Sequence, residues 1–128
     1  MKFPFGKKGA STRERGSKAE QLAVDYLVDR GYEIIERNFV CKVGEIDIIA
    51  RHGGDVVFVE VRSRHSPEAL NPVYTVNRGK QNKIIRAAHV FLDRRFPRMP
   101  PSRFDVVIVT LGNPPQVELI PNAFMTDW

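Results

Sequence analysis

The chain has 128 residues, of which 42% are hydrophobic and 27% are charged, and it carries a formal net charge of +5. This length predicts one compact domain, and the composition excludes an intrinsically disordered chain. The only cysteine, Cys41, excludes an internal disulfide and favours a reducing compartment, so we expect a cytoplasmic protein. No apolar run approaches the roughly 20 residues of a membrane span, so we expect neither export nor membrane insertion.

The charge is distributed unevenly along the chain. Residues 19–61 hold nine acidic and four basic side chains, whereas residues 62–103 hold two acidic and ten basic ones. An acidic segment followed by a basic one is what a site needs if it holds a cation beside a polyanion. Solvated helix faces produce similar patterns, so the charge alone favours nucleic acid only weakly.

The first 16 residues mix Gly, Ser, Thr and basic residues, which predicts a flexible basic arm. From Ser17 the pattern becomes helical. Ser17 and Glu20 have the spacing of a capping box, and apolar residues then recur at helical intervals, at Ala19, Leu22, Ala23, Tyr26 and Leu27. We therefore predict an amphipathic helix that begins at Ser17 and ends before Gly31.

Three strands are predicted after this helix. The first covers residues 32–39, the second follows Gly44 over residues 45–50, and the third covers residues 56–61. The sequence His52-Gly53-Gly54-Asp55 predicts a tight hairpin between the second and third strands. We expect the three strands to pair antiparallel.

A second helix is predicted between a loop containing Pro67 and Pro72 and the helix-breaking Pro97, from the apolar positions Ile84, Ile85, Ala88, Phe91 and Leu92. Strands at residues 103–110 and 116–120 follow. The predicted order is αβββαββ, a mixed central sheet flanked by helices in the α/β (α+β) class. The second helix is long enough to connect the third and fourth strands in parallel. Residues 17–128 form a single predicted domain.

Two acidic residues interrupt strands whose other residues are apolar. Asp47 lies between Ile46 and Ile48, and Glu60 lies between two valines, although acids are depleted in strands. Across a short hairpin the two carboxylates can project from one face of the sheet, where they would repel each other without a cation. Mg²⁺, which prefers oxygen ligands, would relieve that repulsion. The alternative is that both acids face solvent or pair with Arg51 and Arg62.

The motif Gly44-Glu45-Ile46-Asp47, then a hairpin and Val59-Glu60-Val61-Arg62, preceded by a helix that carries Glu20, resembles the PD-(D/E)xK nuclease superfamily. More narrowly, the chain is similar to the YraN-like family of uncharacterised bacterial proteins, which resembles archaeal Holliday-junction resolvases. The resemblance extends from about Gly16 to about Thr110. It implies a restriction-endonuclease-like core.

The resemblance also implies a site. Asp47 and Glu60 would be the carboxylate ligands of Mg²⁺ or Mn²⁺, the carbonyl of Val61 a further ligand, and Glu20 the helical acid that completes the site. The implied reaction is hydrolysis of DNA phosphodiesters, with branched DNA as the substrate and a homodimer as the form that would bind a two-fold junction. In the alternative, Glu20 serves only as the capping-box partner of Ser17.

Arg62 departs from the family motif, which has lysine at this position. A guanidinium with a pKa above about 12 cannot deprotonate water, although it can bind phosphate. The sequence therefore leaves two possibilities open, an active endonuclease and a catalytically inactive nucleic-acid-binding module.

Basic residues follow the second acidic strand and recur on the second helix. Arg62, Arg64, Lys80 and Lys83, with Arg78 at the start of the helix, can line the path of a nucleic-acid backbone. Gln81 lies where related nucleases often carry a polar residue that supports the site. In a third hypothesis this basic ridge binds a protein partner instead.

Overall fold

The computed structural model of the chain describes residues 12–69 and 76–125. These ranges contain two helices and five strands: α1 (Thr12–Asp29), β1 (Glu33–Cys41), β2 (Gly44–His52), β3 (Asp55–Arg64), α2 (Arg78–Arg95), β4 (Ser102–Thr110) and β5 (Gln116–Phe124). The predicted order αβββαββ is confirmed.

The five strands form one mixed sheet whose spatial order follows the chain from β1 to β5. β1–β2, β2–β3 and β4–β5 are antiparallel, and β3–β4 is parallel. A parallel pair needs a long connection, and α2 lies in it, as predicted. In the β2–β3 turn, Gly53 and Gly54 have φ angles of 58° and 91°, a left-handed conformation that costs glycine less than other residues.

The sheet has an apolar cluster on each face. Along β3 the side chains alternate between the clusters, since Phe58 contributes to one and Val57 and Val59 to the other. The first cluster is covered by α2 through Ile84, Ala87, Ala88, Phe91 and Leu92, and the second by α1 through Ala19, Ala23, Val24 and Leu27. Both helices therefore pack through the apolar faces that their sequence periodicity predicts.

The first helix begins at Thr12, earlier than predicted. Ser17 therefore lies inside the helix, where it cannot cap the N-terminus, and the predicted capping box is wrong. Residues 12–16 of the predicted arm are helical, and residues 1–11 lie outside the described residues. Gly31 follows the end of α1 with φ 88°, in agreement with its predicted role.

The second helix begins after Asn77, whose side chain accepts a hydrogen bond of 2.9 Å from the backbone N–H of Lys80. This cap fixes the first turn of α2, which carries Lys80 and Gln81. Within the described part of the chain, neither helix has the length and apolarity that crossing a membrane would require.

Candidate functional site

The two strand acids lie where β2 and β3 stop pairing. The last residue pair of that ladder is Ile48 with Val59, and Asp47 and Glu60 are the next residues on the two strands. The backbone N–H of Val61 donates a 2.8 Å hydrogen bond to Oδ2 of Asp47, and the charge of Asp47 raises the pKa of Glu60, so the two side chains interact directly. The structure therefore brings the two carboxylates together.

A local irregularity of β2 frees Asp47 from both apolar clusters. Ile46 packs in the cluster beneath α2, whereas Ile48 packs in the cluster beneath α1. Residues two apart on a regular strand share a face of the sheet. The side chains before and after Asp47 therefore point to opposite faces, and β2 is irregular at this residue. In the register of β1 with β2, Asn38 lies opposite Asp47, and its φ is 53°, a left-handed conformation that asparagine tolerates better than most residues.

Burial and mutual repulsion dominate the electrostatics of the pair. Glu60 is only 5% exposed. Its burial, followed by the negative charge of Asp47, raises the pKa of Glu60 to about 7, against the opposing effect of Lys80 and Arg62. Burial also raises the pKa of Asp47, and the charge of Glu20 adds to this increase, while the hydrogen bond from Val61 opposes it. Without a metal ion, both carboxylates therefore bind a proton more readily than ordinary carboxylates do.

Two cations adjoin Glu60. Lys80 Nζ and Arg62 Nε each lie 3.7 Å from Oε2 of Glu60. These distances allow an ion pair but exceed those of a charge-assisted hydrogen bond. Lys80 comes from the first turn of α2 and Arg62 from β3, so positive charge reaches the pair from two elements.

Glu20 belongs to the same site from the side of α1. Its Oε2 accepts hydrogen bonds from Arg37 Nε at 2.9 Å and from Asn38 Nδ2 at 3.1 Å, which replace the predicted contact with Ser17. Glu20 and Asp47 line a cavity of about 200 Å³ beneath α1, together with Gly16, Ala19, Val61 and Ser63. Arg37 and Asn38 were not predicted as residues of the site, because only the packing of α1 on β1 places them beside Glu20.

Among the described residues, no group of three or more His, Cys, Asp and Glu side chains is arranged to hold a metal ion. Glu20 is engaged by Arg37 and Asn38, which leaves Asp47 and Glu60 as the carboxylate donors. Mg²⁺ is typically bound by one or two carboxylates, with water and substrate phosphate completing its shell. The buried carboxylate of Glu60 and the half-buried carboxylate of Asp47, with the two cations 3.7 Å from Glu60, fit that requirement.

The remaining predicted nucleic-acid-binding residues are dispersed. Gln81 Nε2 donates to the backbone carbonyl of Val76 at 2.9 Å, and Arg64 Nε donates to Thr110 Oγ1 at 2.9 Å. Arg78 is exposed at the first position of α2. Lys83 is exposed one turn beyond Lys80. Of this set, only Lys80 contacts the carboxylate pair within the described interactions.

Comparison with known proteins places the chain in a bacterial family. Residues 19–109 match the uncharacterised protein family UPF0102. A UPF0102 protein of Geobacter metallireducens is 48% identical over 110 residues, which cover 85% of this chain and 90% of the relative. A UPF0102 protein of Caldicellulosiruptor saccharolyticus is 43% identical over 115 residues, covering 88% and 98%. These matches confirm the predicted YraN-like membership, and the chain belongs to the UPF0102 family.

Proposed function

We propose that this protein binds nucleic acid and hydrolyses DNA phosphodiesters at Asp47 and Glu60 with Mg²⁺ or Mn²⁺, branched DNA being the expected substrate. The observation that carries the proposal is a buried carboxylate, Glu60, beside the half-buried carboxylate of Asp47, with a lysine and an arginine each 3.7 Å from Glu60. Such a pair is unfavourable by itself, because burial and repulsion both oppose its ionisation. A divalent cation and a phosphate together would satisfy all four side chains.

The residues that would hold the ion are Asp47, Glu60 and the carbonyl of Val61. The N–H of Val61 points at Asp47, and in an extended strand the N–H and C=O of one residue face the same neighbouring strand. The Val61 carbonyl is therefore expected to face the side of β3 on which Asp47 lies. When bound, the ion would supply Lewis acidity that neutralises phosphate charge and activates water.

Arg62 and Lys80 would bind and orient the phosphate. A guanidinium stays protonated at physiological pH and donates in a planar fork, so Arg62 can hold two phosphate oxygens but cannot remove a proton from water. Lys80, on the other element, would fix the phosphate from the side of α2. Glu20 would act through Asn38 and Arg37, which it holds beside Asp47, as a positioning residue.

A second candidate function is nucleic-acid binding without turnover. Arg62 favours it, because the implied nuclease motif has at this position a lysine that can orient or deprotonate the attacking water. The carboxylate pair would then bind a cation that bridges the protein to phosphate.

A cleavage assay with Mg²⁺ on branched, duplex and single-stranded DNA tests the proposal. We expect cleavage of branched DNA that Asp47→Asn and Glu60→Gln each abolish, whereas Asp25→Asn, which changes an exposed acid of α1, leaves it intact. Salt-sensitive binding without cleavage, together with cleavage gained in Arg62→Lys, would establish the second candidate. Cleavage that survives both site substitutions contradicts the assignment of the site.

Binding measured by fluorescence anisotropy over a range of salt concentrations completes the test. Phosphate contacts make log K fall with log salt. If the protein bound no DNA at any salt concentration, both candidates would be wrong, and the basic ridge would be assigned to a protein partner.

A further inference from the structure

A second cavity, of about 380 Å³, lies between the β1–β2 turn and the first turns of α2. Its volume is within the roughly 300–1,000 Å³ of ligand pockets. It is lined by three lysines and by apolar side chains, including Lys42, Lys80, Lys83, Val40, Cys41 and Ile84. The sequence patterns do not predict this cavity, because its lysines come from segments about 40 positions apart in the chain.

The charge of the cavity is strongly positive for its size. Among its lining residues, the three lysines face a single acid, Glu45. Lys80 is common to the cavity and to the candidate active site, because its Nζ also lies 3.7 Å from Oε2 of Glu60. An anion held here would therefore lie one side chain away from the carboxylate pair.

The cavity also offers apolar surface. Ile84, which is 2% exposed, lies at the edge of the core, and Val40, which is 68% exposed, contributes a strand side chain that nothing in the described structure covers. A single exposed valine is ordinary on a protein surface, but this one adjoins three lysines. Phosphate and a nucleobase together present the matching chemistry, one anionic and one flat and largely apolar.

The cavity is formed by a close contact between the hairpin and the helix. A Cβ on Gly44 would lie 2.9 Å from the backbone carbonyl oxygen of Lys83, so glycine allows the turn to approach α2 more closely than any other residue would. Because this backbone contact is independent of a ligand, the cavity is preformed.

We propose that this cavity holds one unpaired nucleotide of the DNA strand, next to the phosphate that Arg62 and Lys80 would bind. The proposal rests on the proposed function and specifies its substrate as DNA with an unpaired nucleotide near the cleaved bond. Duplex DNA keeps its bases stacked inside and offers the cavity only phosphates, whereas an unpaired base can turn outward and pack on protein.

Cys41, the only cysteine of the chain and a half-buried lining residue, supplies a direct test. The rate at which N-ethylmaleimide labels Cys41 is measured by mass spectrometry in short incubations with Mg²⁺, with saturating amounts of a blunt duplex or of the same duplex carrying a single-stranded dT tail. The reagent is uncharged, so the charge of the DNA does not repel it. We expect the tailed duplex to slow labelling several-fold and the blunt duplex to have little effect.

Variants separate the two parts of the ligand. Lys83→Glu should reduce the affinity for the tailed duplex and lower the slope of log K against log salt by about 1. Val40→Ser should reduce the preference for the tailed over the blunt duplex without changing that slope. Arg94→Glu, the same change of charge at an exposed position in the last turn of α2, is the control that should leave the preference unchanged.

The outcomes distinguish this proposal from the proposed function. If the wild type binds both duplexes equally and the tail does not protect Cys41, the cavity assignment is wrong while DNA binding stands. An equal loss of preference in Arg94→Glu and Lys83→Glu also contradicts it. If the wild type binds neither duplex, the proposed function and this inference are both wrong.

Discussion

Within the described residues two carboxylates are buried in the sheet, Glu60 in the middle of β3 and Asp105 in the first half of β4. Asp105 accepts hydrogen bonds from Arg103 Nε at 3.2 Å and from the backbone N–H of Asn122 at 3.0 Å. Arg103 in turn donates to Asp55, Tyr32 and His52. Glu60 instead has its two cations at 3.7 Å and a second carboxylate beside it.

The difference separates a structural acid from one suited to a ligand. Asp105 is 0% exposed, and both of its oxygens accept hydrogen bonds from protein donors, one of them the charged Arg103, so its charge is already balanced by the protein. At Glu60 the protein leaves the charge incompletely balanced, which costs stability unless a ligand restores the balance. Substitutions at the two sites should therefore have opposite effects on stability.

Removing the cation of the satisfied site should have the largest effect on stability. Arg103→Met leaves Asp105 buried without its ion-pair partner, which should lower the free energy of unfolding by about 3–5 kcal/mol, measured by urea denaturation. Asp55→Asn, which changes a partly exposed partner of Arg103, should cost much less. A loss in Arg103→Met no larger than that in Asp55→Asn would remove the contrast.

Neutralising the acid of the other site should stabilise the metal-free protein at high pH. Burial and the charge of Asp47 raise the pKa of Glu60 from 4.5 to about 7, so between these values the folded state binds more protons than the unfolded state. The free energy of unfolding should therefore fall, by on the order of 3 kcal/mol, as the pH rises from 4.5 to about 7, and it should level off at higher pH.

Glu60→Gln should abolish most of that decrease and be more stable than the wild type above pH 7, as measured by urea denaturation in EDTA at several pH values. Glu68→Gln, at an exposed position in the loop after β3, is the control. If the stability of the wild type instead rose over this range, the electrostatic description of Glu60 would be wrong.

Removing the contacts that Glu20 of α1 makes with β1 should have a moderate effect on stability. Glu20→Ala removes the acceptor of hydrogen bonds from Arg37 and Asn38, and the free energy of unfolding should fall by about 1 kcal/mol. Lys18→Ala, at an exposed position on the same helix, should change it little. Equal losses in the two variants would show that Glu20 acts only through helix formation.

Removing the charge of Lys80 should have the smallest effect, which is a shift in the pH at which the stability changes. Its positive charge lowers the pKa of Glu60 and of Asp47, so Lys80→Met should raise the midpoint of the pH-dependent stability by roughly half a pH unit, since the side chain is partly exposed. Arg86→Met, at an exposed position of α2, is the matched control. A midpoint that moved downward would contradict the described contact.

The elements of the fold could be predicted because their signals are local. Helical spacing from Ala19 to Leu27 and the alternation around the Gly53-Gly54 turn concern residues that are near one another in the chain. The predicted start of α1 was wrong for the same reason. Ser17 and Glu20 match a local capping pattern, but Glu20 contacts Arg37 and Asn38 on β1, and a local pattern carries no information about a strand that packs later.

The site was predictable in part. A short hairpin fixes which residues of β2 and β3 lie opposite each other, so the proximity of Asp47 and Glu60 follows from the sequence. The contact of Lys80 with Glu60 and the cavity between Lys42 and Lys83 depend on where α2 packs on the sheet. The Arg103 cluster likewise joins residues from α1's end, the β2–β3 turn and β4.

The sequence by itself determined the order of helices and strands, their buried faces and the hairpin that pairs two acids, because periodicity and turn chemistry act over a few residues. Only the tertiary structure decided the environment of those acids. Whether a buried carboxylate is saturated, as at Asp105, or left with distant cations, as at Glu60, depends on donors brought from remote parts of the chain. Burial and charge balance are properties of that packing, and they set the chemistry of the site.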